Sequence, residues 1–435
     1  MTNKLVQMFI YFFCIAFLFM SVSEVEGHSF VVEESPVPNS VLASSPSEIS
    51  IRSNRKVDKN FSLKVWNENN QEIVINSSSI SEDQKLILVQ IPQLPNGIYR
   101  VEYYIISSTD GHAVEGSYAF QVKWKVPPLK NEEYIKEETV PGIVKKGEPT
   151  TPQEVVDKTI EVTEEENISK ISIYISKSIY YLGFLLLVGW VFLWQLVRTY
   201  SFEVRKKYIF YGMIFQVLHL IGLIAFLFAQ MNVFTIHGIV FEFDFPVGTN
   251  FGKLWIASLV FALFGFLLLF KNRLFDYCWV LLLGIIKSLN GHTQEFEPTY
   301  ALVALNCLHL FAASFLVAGI IYIALFWRKQ RIYVKYFLPV FSQGALYSII
   351  LLTITGSITT YFYLPNQEAL LTDWGIALLA KIAVVVVVVI LGAVIRRKMK
   401  KGKVANLEST IKLDVVLMLM LIVMVSILTS LNPLP

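Results

Sequence analysis

Charge is scarce in this sequence: only 16% of its 435 residues are Asp, Glu, Lys or Arg, against 54% hydrophobic. A soluble globular chain carries about 25% charged residues, so a single water-soluble core is excluded as the home of all this apolar surface. Cysteine is nearly missing as well. Of the three, Cys14 lies in an apolar leader and Cys278 and Cys307 lie in apolar segments, so no disulfide framework is implied. No methionine occurs between Met20 and Met213, which excludes a soft thioether metal site from that stretch. Nucleophile–base pairs, phosphate-binding loops and ATPase motifs are not found, so neither an enzyme nor ATP coupling is expected. The net charge of +3 gives no reason to expect nucleic acid as a partner.

What is present divides into four segments. Residues 1–27 read as a signal peptide, with Lys4 as the basic start, Met8 to Met20 as the apolar run and Val25-Glu26-Gly27 as the cleavage site. An uncleaved anchor is the alternative. Cutting after Gly27 makes His28 the new N-terminus. Residues 28–126 then alternate with period two, as in Phe61-Ser62-Leu63-Lys64-Val65-Trp66, Leu86-Ile87-Leu88-Val89 and Tyr99-Arg100-Val101-Glu102-Tyr103. The turn signals Pro95-Asn96-Gly97 and Asp110-Gly111 separate such runs, and the pattern predicts a small all-β sandwich. Residues 127–167 carry five prolines and many Glu and Lys, which predicts a flexible tether.

Residues 168–435 hold eight apolar segments, at about 171–197, 208–230, 254–270, 274–289, 301–327, 336–361, 374–395 and 411–431. The third and fourth are short for a span of about 20 residues. Basic residues follow every odd segment: Arg198, Arg205 and Lys206; Lys271 and Arg273; Arg328 and Lys329; Arg396 to Lys403. Loops after even segments are poor in Lys and Arg. The positive-inside rule then gives a multi-pass cell-membrane protein whose N-terminal domain and C-terminus are extracytoplasmic. An export signal asks for the same side.

Six histidines are the main candidates for chemistry. A free N-terminal His28 offers its α-amino nitrogen, with a pKa of about 7.7–8.0, and its imidazole to one metal. Nitrogen ligands in a tetragonal set favour Cu(II). In Ser108-Thr109-Asp110-Gly111-His112, an extended backbone places Asp110 and His112 on one side. A hairpin turn is the alternative for Asp-Gly. His219 and His309 fall inside apolar segments, His292 at the outer end of the fourth, and His237 in the outer loop after the second. Intramembrane ionisable groups suggest function by default; a hydrogen-bonded histidine packing helices is the alternative for each.

His28, Ser35-Pro36 with Asn39, Leu94-Pro95-Asn96-Gly97-Ile98-Tyr99-Arg100-Val101 and Ser108 through Phe120 together resemble the CopC family of exported copper-binding β-sandwiches. The resemblance implies Cu(II) bound by His28, Asp110 and His112. An acidic ligand that some members add has no counterpart in Arg52-Ser53-Asn54-Arg55, and with no methionine available the domain reads as Cu(II)-only. Residues 171–435 resemble the CopD family of copper-linked membrane proteins. The resemblance rests on Ser288-Leu289-Asn290-Gly291-His292, Leu308 to Ser314, Phe341 to Ala345, Thr355-Gly356, Gly375 to Lys381 and Leu428 to Pro433. Phe315 to Gly319 replaces the usual Trp and paired Gly, and Asp414 stands for the usual Glu.

The two joined in one chain are similar to the YcnJ type of CopC–CopD copper-uptake fusion. This implies Cu(II) capture outside and transfer for import along His219, His237, His292 and His309. Copper ion and lipid bilayer are the implied partners, with a copper chaperone or accessory copper protein as a further candidate. Two rival readings are copper resistance or sequestration without import, and membrane electron transfer through a b-type haem held by His219 and His309.

Overall fold

The computed structural model describes residues 31–108, 111, 113–123, 164–239, 247, 249–291, 293, 296, 298–327, 330–364, 368–400 and 408–431. They form two compact units, with the strands in one and the helices in the other.

The strands are β1 (Val31–Ser35), β2 (Val41–Leu42), β3 (Glu48–Ser53), β4 (Val57–Asn67), β5 (Glu72–Ile73), β6 (Ser77–Ile80), β7 (Leu86–Gln90), β8 (Gly97–Ser107) and β9 (Ala113–Val122). One sheet has the order β1-β3-β7-β6 and the other β2-β9-β8-β4-β5. All pairs are antiparallel except β2 with β9. Period-two alternation decides which side chains turn inward. Ile49, Ile51, Ile87 and Val89 of one sheet meet Val65, Val101 and Phe120 of the other in a single apolar core. Tyr103 and Glu34 add a tie between the sheets, the phenol donating to Glu34 Oε1 at 2.8 Å. Burial, together with that carboxylate, pushes the Tyr103 phenol above its ordinary pKa. Gly116, opposite Tyr103 in the β8–β9 register, lies under its ring, where a Cβ would collide with the phenol.

Eight helices follow: α1 (Glu164–Val197), α2 (Phe202–Ile236), α3 (Asn250–Leu268), α4 (Arg273–Leu289), α5 (Thr299–Phe326), α6 (Arg331–Tyr363), α7 (Asp373–Lys400) and α8 (Glu408–Leu428). Seven are long and apolar enough to cross a membrane. The expectation of eight spans needs one qualification: α4 has 17 residues, about 26 Å at 1.5 Å per residue, less than the ~30 Å apolar layer. Several helices also start before their apolar runs. Arg205, Lys206 and Lys207 lie within α2, since long basic side chains reach polar surroundings from a helix whose stem stays apolar.

α1 is the centre of this unit. Its Val188, Trp190 and Val191 are fully buried. Trp190 stacks on Tyr208 of α2 with centroids 4.3 Å apart. Each ring donates to the other's backbone: Trp190 Nε1 to Tyr208 O at 2.9 Å and Tyr208 OH to Trp190 O at 2.6 Å. Gly189 lets α5 approach, because a Cβ there would collide with Ser314 O and the Ala318 Cβ. Between α3 and α4 the chain reverses through Phe270 at φ +67°. The Asp276 carboxylate accepts the Phe270 N–H at 2.9 Å and holds this turn.

Contacts sort the helix ends into two sets. At one end the middle of α1, at Tyr181, meets the final residues of α4 and the residue after α8, through Lys287 over Tyr181 and Tyr181 against Thr429. The start of α7 packs there as well, with Trp374 and Leu378 on Leu428. At the other end the close of α1 meets the starts of α4 and α6, through Gln195–Asp276 and Tyr200–Tyr333. The basic residues Arg198, Lys271, Arg273 and Arg331 belong to this second end. The alternation of basic and non-basic loops in the sequence is therefore an alternation of two ends in space.

Candidate copper sites

Of the seven candidate residues, His28, Asp110, His112 and His292 lie outside the described residues. The backbone around the first three is nevertheless informative. Val31 pairs with Ser53, at the end of β3. The chain then runs through Lys56, whose carbonyl accepts from Ser108 N at 3.1 Å. The start of β1 and the β8–β9 connection therefore occupy the same end of the sandwich.

The sequence argument for Asp110 and His112 needs correction at one point. It assumed extended backbone between them, but Gly111 has φ +76° and its N–H bonds Ser107 O at 3.0 Å. That is a turn, and a left-handed residue breaks two-residue alternation. Glycine is suited to it because it lacks the Cβ that penalises positive φ. The turn reading of Asp-Gly holds here, so any pairing of Asp110 with His112 comes from loop geometry and not from strand facing.

His237 follows α2 directly and clusters with the strand unit. Its ring stacks on Tyr104 with centroids 4.0 Å apart, and Nε2 stands 3.6 Å from Glu115 Oε2.

The two membrane histidines differ. His219 on α2 is 1% exposed. It lies between α1 and α2, with Tyr180 stacked at 5.5 Å and Phe184 tilted at 5.9 Å. Glycine makes the seam this close: a Cβ on Gly183 would be 2.6 Å from the His219 backbone, and one on Gly222 would be 2.6 Å from that of Tyr180. Among the described residues neither imidazole nitrogen has a hydrogen-bond partner. An unpaired buried polar group costs about 1–3 kcal/mol, so packing alone does not account for a histidine here.

His309 on α5 is half-buried and fully oriented. Its Nδ1 lies 2.9 Å from Thr355 Oγ1 on α6. The Thr355 hydroxyl donates to Leu351 O at 2.7 Å, so its oxygen accepts from His309, which fixes the Nδ1–H tautomer. Nε2 then keeps its lone pair, the form in which imidazole ligates a metal. Gly356 leaves room beside the ring, where a Cβ would be 3.4 Å from Cε1. The Thr355-Gly356 motif thus positions the histidine of the preceding helix, a role the sequence alone did not reveal. His219 contacts α1 while His309 contacts α6. Among the described residues no group of three or more His, Cys, Asp or Glu side chains is arranged to hold a metal.

Comparison with known proteins agrees with this division. Residues 31–123 match the CopC domain family model, and residues 335–430 match the Copper resistance protein D model. The second match is shorter than the resemblance read from sequence, leaving Ser288 to His292 and Leu308 to Ser314 upstream of it. The copper transport protein CutJ of Bacillus subtilis (strain 168) is 24% identical over 434 residues, covering 93% of this chain and 74% of that protein. Protein YobA of Escherichia coli (strain K12) is 28% identical over 100 residues, 22% of this chain and 80% of its own length. Among solved structures, CopC from Methylosinus trichosporium OB3b is 26% identical, covers 25% of this chain and 100% of that one, and has a TM-score of 0.21. PcoC, a methionine rich copper resistance protein from Escherichia coli, is 23% identical, covers 22% of this chain and 99% of that one, and has a TM-score of 0.20. One polypeptide therefore carries a segment that matches the CopC domain model followed by one that matches the Copper resistance protein D model, and nearly its whole length is similar to a copper transport protein.

Proposed function

We propose that this chain acquires copper: an exported β-domain captures Cu(II), and the helical domain receives it for import. The observation that carries the reading is the shared end of the sandwich, where the start of β1 meets the β8–β9 connection through Lys56. A signal peptide removed after Gly27 leaves His28 three residues before β1. Its two nitrogens, with Asp110 and His112, make a nitrogen- and oxygen-rich set suited to Cu(II). Residues 127–167 tether this domain and raise its concentration near the bilayer.

In the helical domain His309 offers an oriented Nε2 and His219 a buried imidazole without partners among the described residues, and His237 and His292 are the further candidates for the path. By the positive-inside rule the reading has the basic end of the bundle facing the cytoplasm and the β-domain outside. Similarity to a copper transport protein supports copper movement over storage.

Copper accumulation tests the reading. Cells lacking the protein are compared with cells expressing wild type, His28→Ala/His112→Ala or His292→Ala. The proposal expects accumulation that depends on the protein and falls several-fold in each variant. Unchanged accumulation would leave sequestration as the better account.

A further inference from the structure

Where α1, α4 and α8 meet, two lysines lie around Tyr181. Lys287 on α4 stands over Tyr181 at 5.0 Å and Tyr180 at 5.7 Å. Lys177 on α1 donates to Thr429 O at 2.8 Å and Ser430 Oγ at 2.9 Å, at the end of α8. Tyr181 OH is 3.2 Å from Thr429 Oγ1 and binds the cluster together. Lys287 over the Tyr181 ring and Lys177 on Thr429, the residue that the Tyr181 hydroxyl meets, gather both ammonium groups around one phenol.

Among the described residues neither lysine forms an ion pair. Like charges held together away from water are costly unless a negative group joins them. Part of the compensation is visible: Lys177 and Lys287 bond the carbonyls of Thr429 and Asn290, at the negative ends of α8 and α4. Those are partial charges facing two full ones. The donors are not exhausted either. An ammonium has three N–H groups. Lys177 uses two, and Lys287 meets the Tyr181 hydroxyl and, at 3.4 Å, Asn290 O, so each ammonium keeps one N–H.

The geometry points to an oxyanion site between Lys177 and Lys287, taking a carboxylate or phosphate group, with the Tyr181 and Ser430 hydroxyls beside it. The site stands on the bundle's own residues and does not depend on copper moving inward. It also bears on entry at this end, since two ammonium groups oppose a bare divalent cation and favour a ligand that brings negative charge. A free carboxylate and a lipid phosphate offer the same chemistry.

Equilibrium binding of radiolabelled citrate, and separately of inorganic phosphate, to the full chain in phosphatidylcholine nanodiscs at low salt tests the site. Saturable binding is expected, weakened about tenfold or more in Lys287→Gln and in Lys177→Gln, the loss expected for one charge-assisted contact. Gln keeps a hydrogen-bonding group beside Tyr181 and Asn290 O, so Lys287→Gln is the variant expected to keep its fold, checked by circular dichroism. In nanodiscs containing phosphatidylglycerol, loss of citrate binding by wild type would identify a lipid phosphate as the occupant. Retained binding would identify a soluble anion. Lysines that only cap α8 and α4 would lower thermal stability when replaced and leave anion binding unchanged. That result, or no binding of either anion by wild type in phosphatidylcholine, would overturn the proposal.

Discussion

In the β-domain large apolar side chains face inward, and the exposed ones are few: Val32, Val37, Val41 and Val74. The helices reverse this. α7 is almost wholly exposed along a run of valines, while the interior of the bundle holds Trp190, Tyr208, Tyr322 and polar groups such as His219 and Asp276. Both units close-pack, so the difference lies in what surrounds them. A domain in water hides apolar surface. In hydrocarbon, apolar surface costs nothing outside, and the interior is where polar groups find partners.

The comparison breaks first at the aromatic centre. Trp190→Ala should cost about 3–5 kcal/mol in the bundle, and Phe120→Ala should cost a similar ~3–5 kcal/mol in the sandwich. Thermal unfolding of the full chain in nanodiscs, followed by separate probes for strand and helix, reads both. If both units close-pack, the two losses are alike; a much smaller loss at Trp190 would mean that the bundle interior is loosely packed. The surfaces differ more sharply. Val386→Lys on α7 and Val32→Lys on β1 replace side chains of similar exposure, 51% and 56%. The first should cost about 2.5–3.5 kcal/mol of insertion, and the second should stay within about 0.5 kcal/mol. Equal tolerance at both positions would remove the lipid-facing assignment of α7.

The histidines give smaller effects of opposite sign. His219→Phe keeps a ring between Tyr180 and Phe184 and removes two unpaired nitrogens, so it should stabilise the bundle by about 1–3 kcal/mol while lowering copper accumulation. Stabilisation without any change in accumulation would reduce His219 to packing. Thr355→Val removes the acceptor of His309 Nδ1–H and should destabilise by about 0.5–1.5 kcal/mol. Thr355→Ser, which keeps the hydroxyl, should restore copper accumulation if the tautomer of His309 matters.

How much the sequence reveals also differs between the units. Strands β4, β7 and β8 follow from alternation in Phe61 to Trp66, Leu86 to Val89 and Tyr99 to Tyr103. The eight helices follow from apolar runs, and their alternating ends from the placement of Lys and Arg. Helix boundaries do not, because helices such as α1 and α2 extend past their apolar runs into charged turns. At Gly111 the sequence leaves strand and turn both open, because period two says nothing about where a strand yields to a turn. The partners of His309 were hidden for another reason. Thr355 is 46 residues away, and only the packing of α5 on α6 brings it near. Lys177 carried a readable signal, a lysine inside an apolar run, whereas its grouping with Lys287 and Tyr181 needed the fold.

The most direct measurement of the central claim is electron paramagnetic resonance of the full chain loaded with Cu(II), as wild type and as His28→Ala/His112→Ala. Capture by the β-domain predicts a tetragonal signal with nitrogen coupling at one equivalent of metal, lost in the double variant. A signal unchanged by the two substitutions would contradict it.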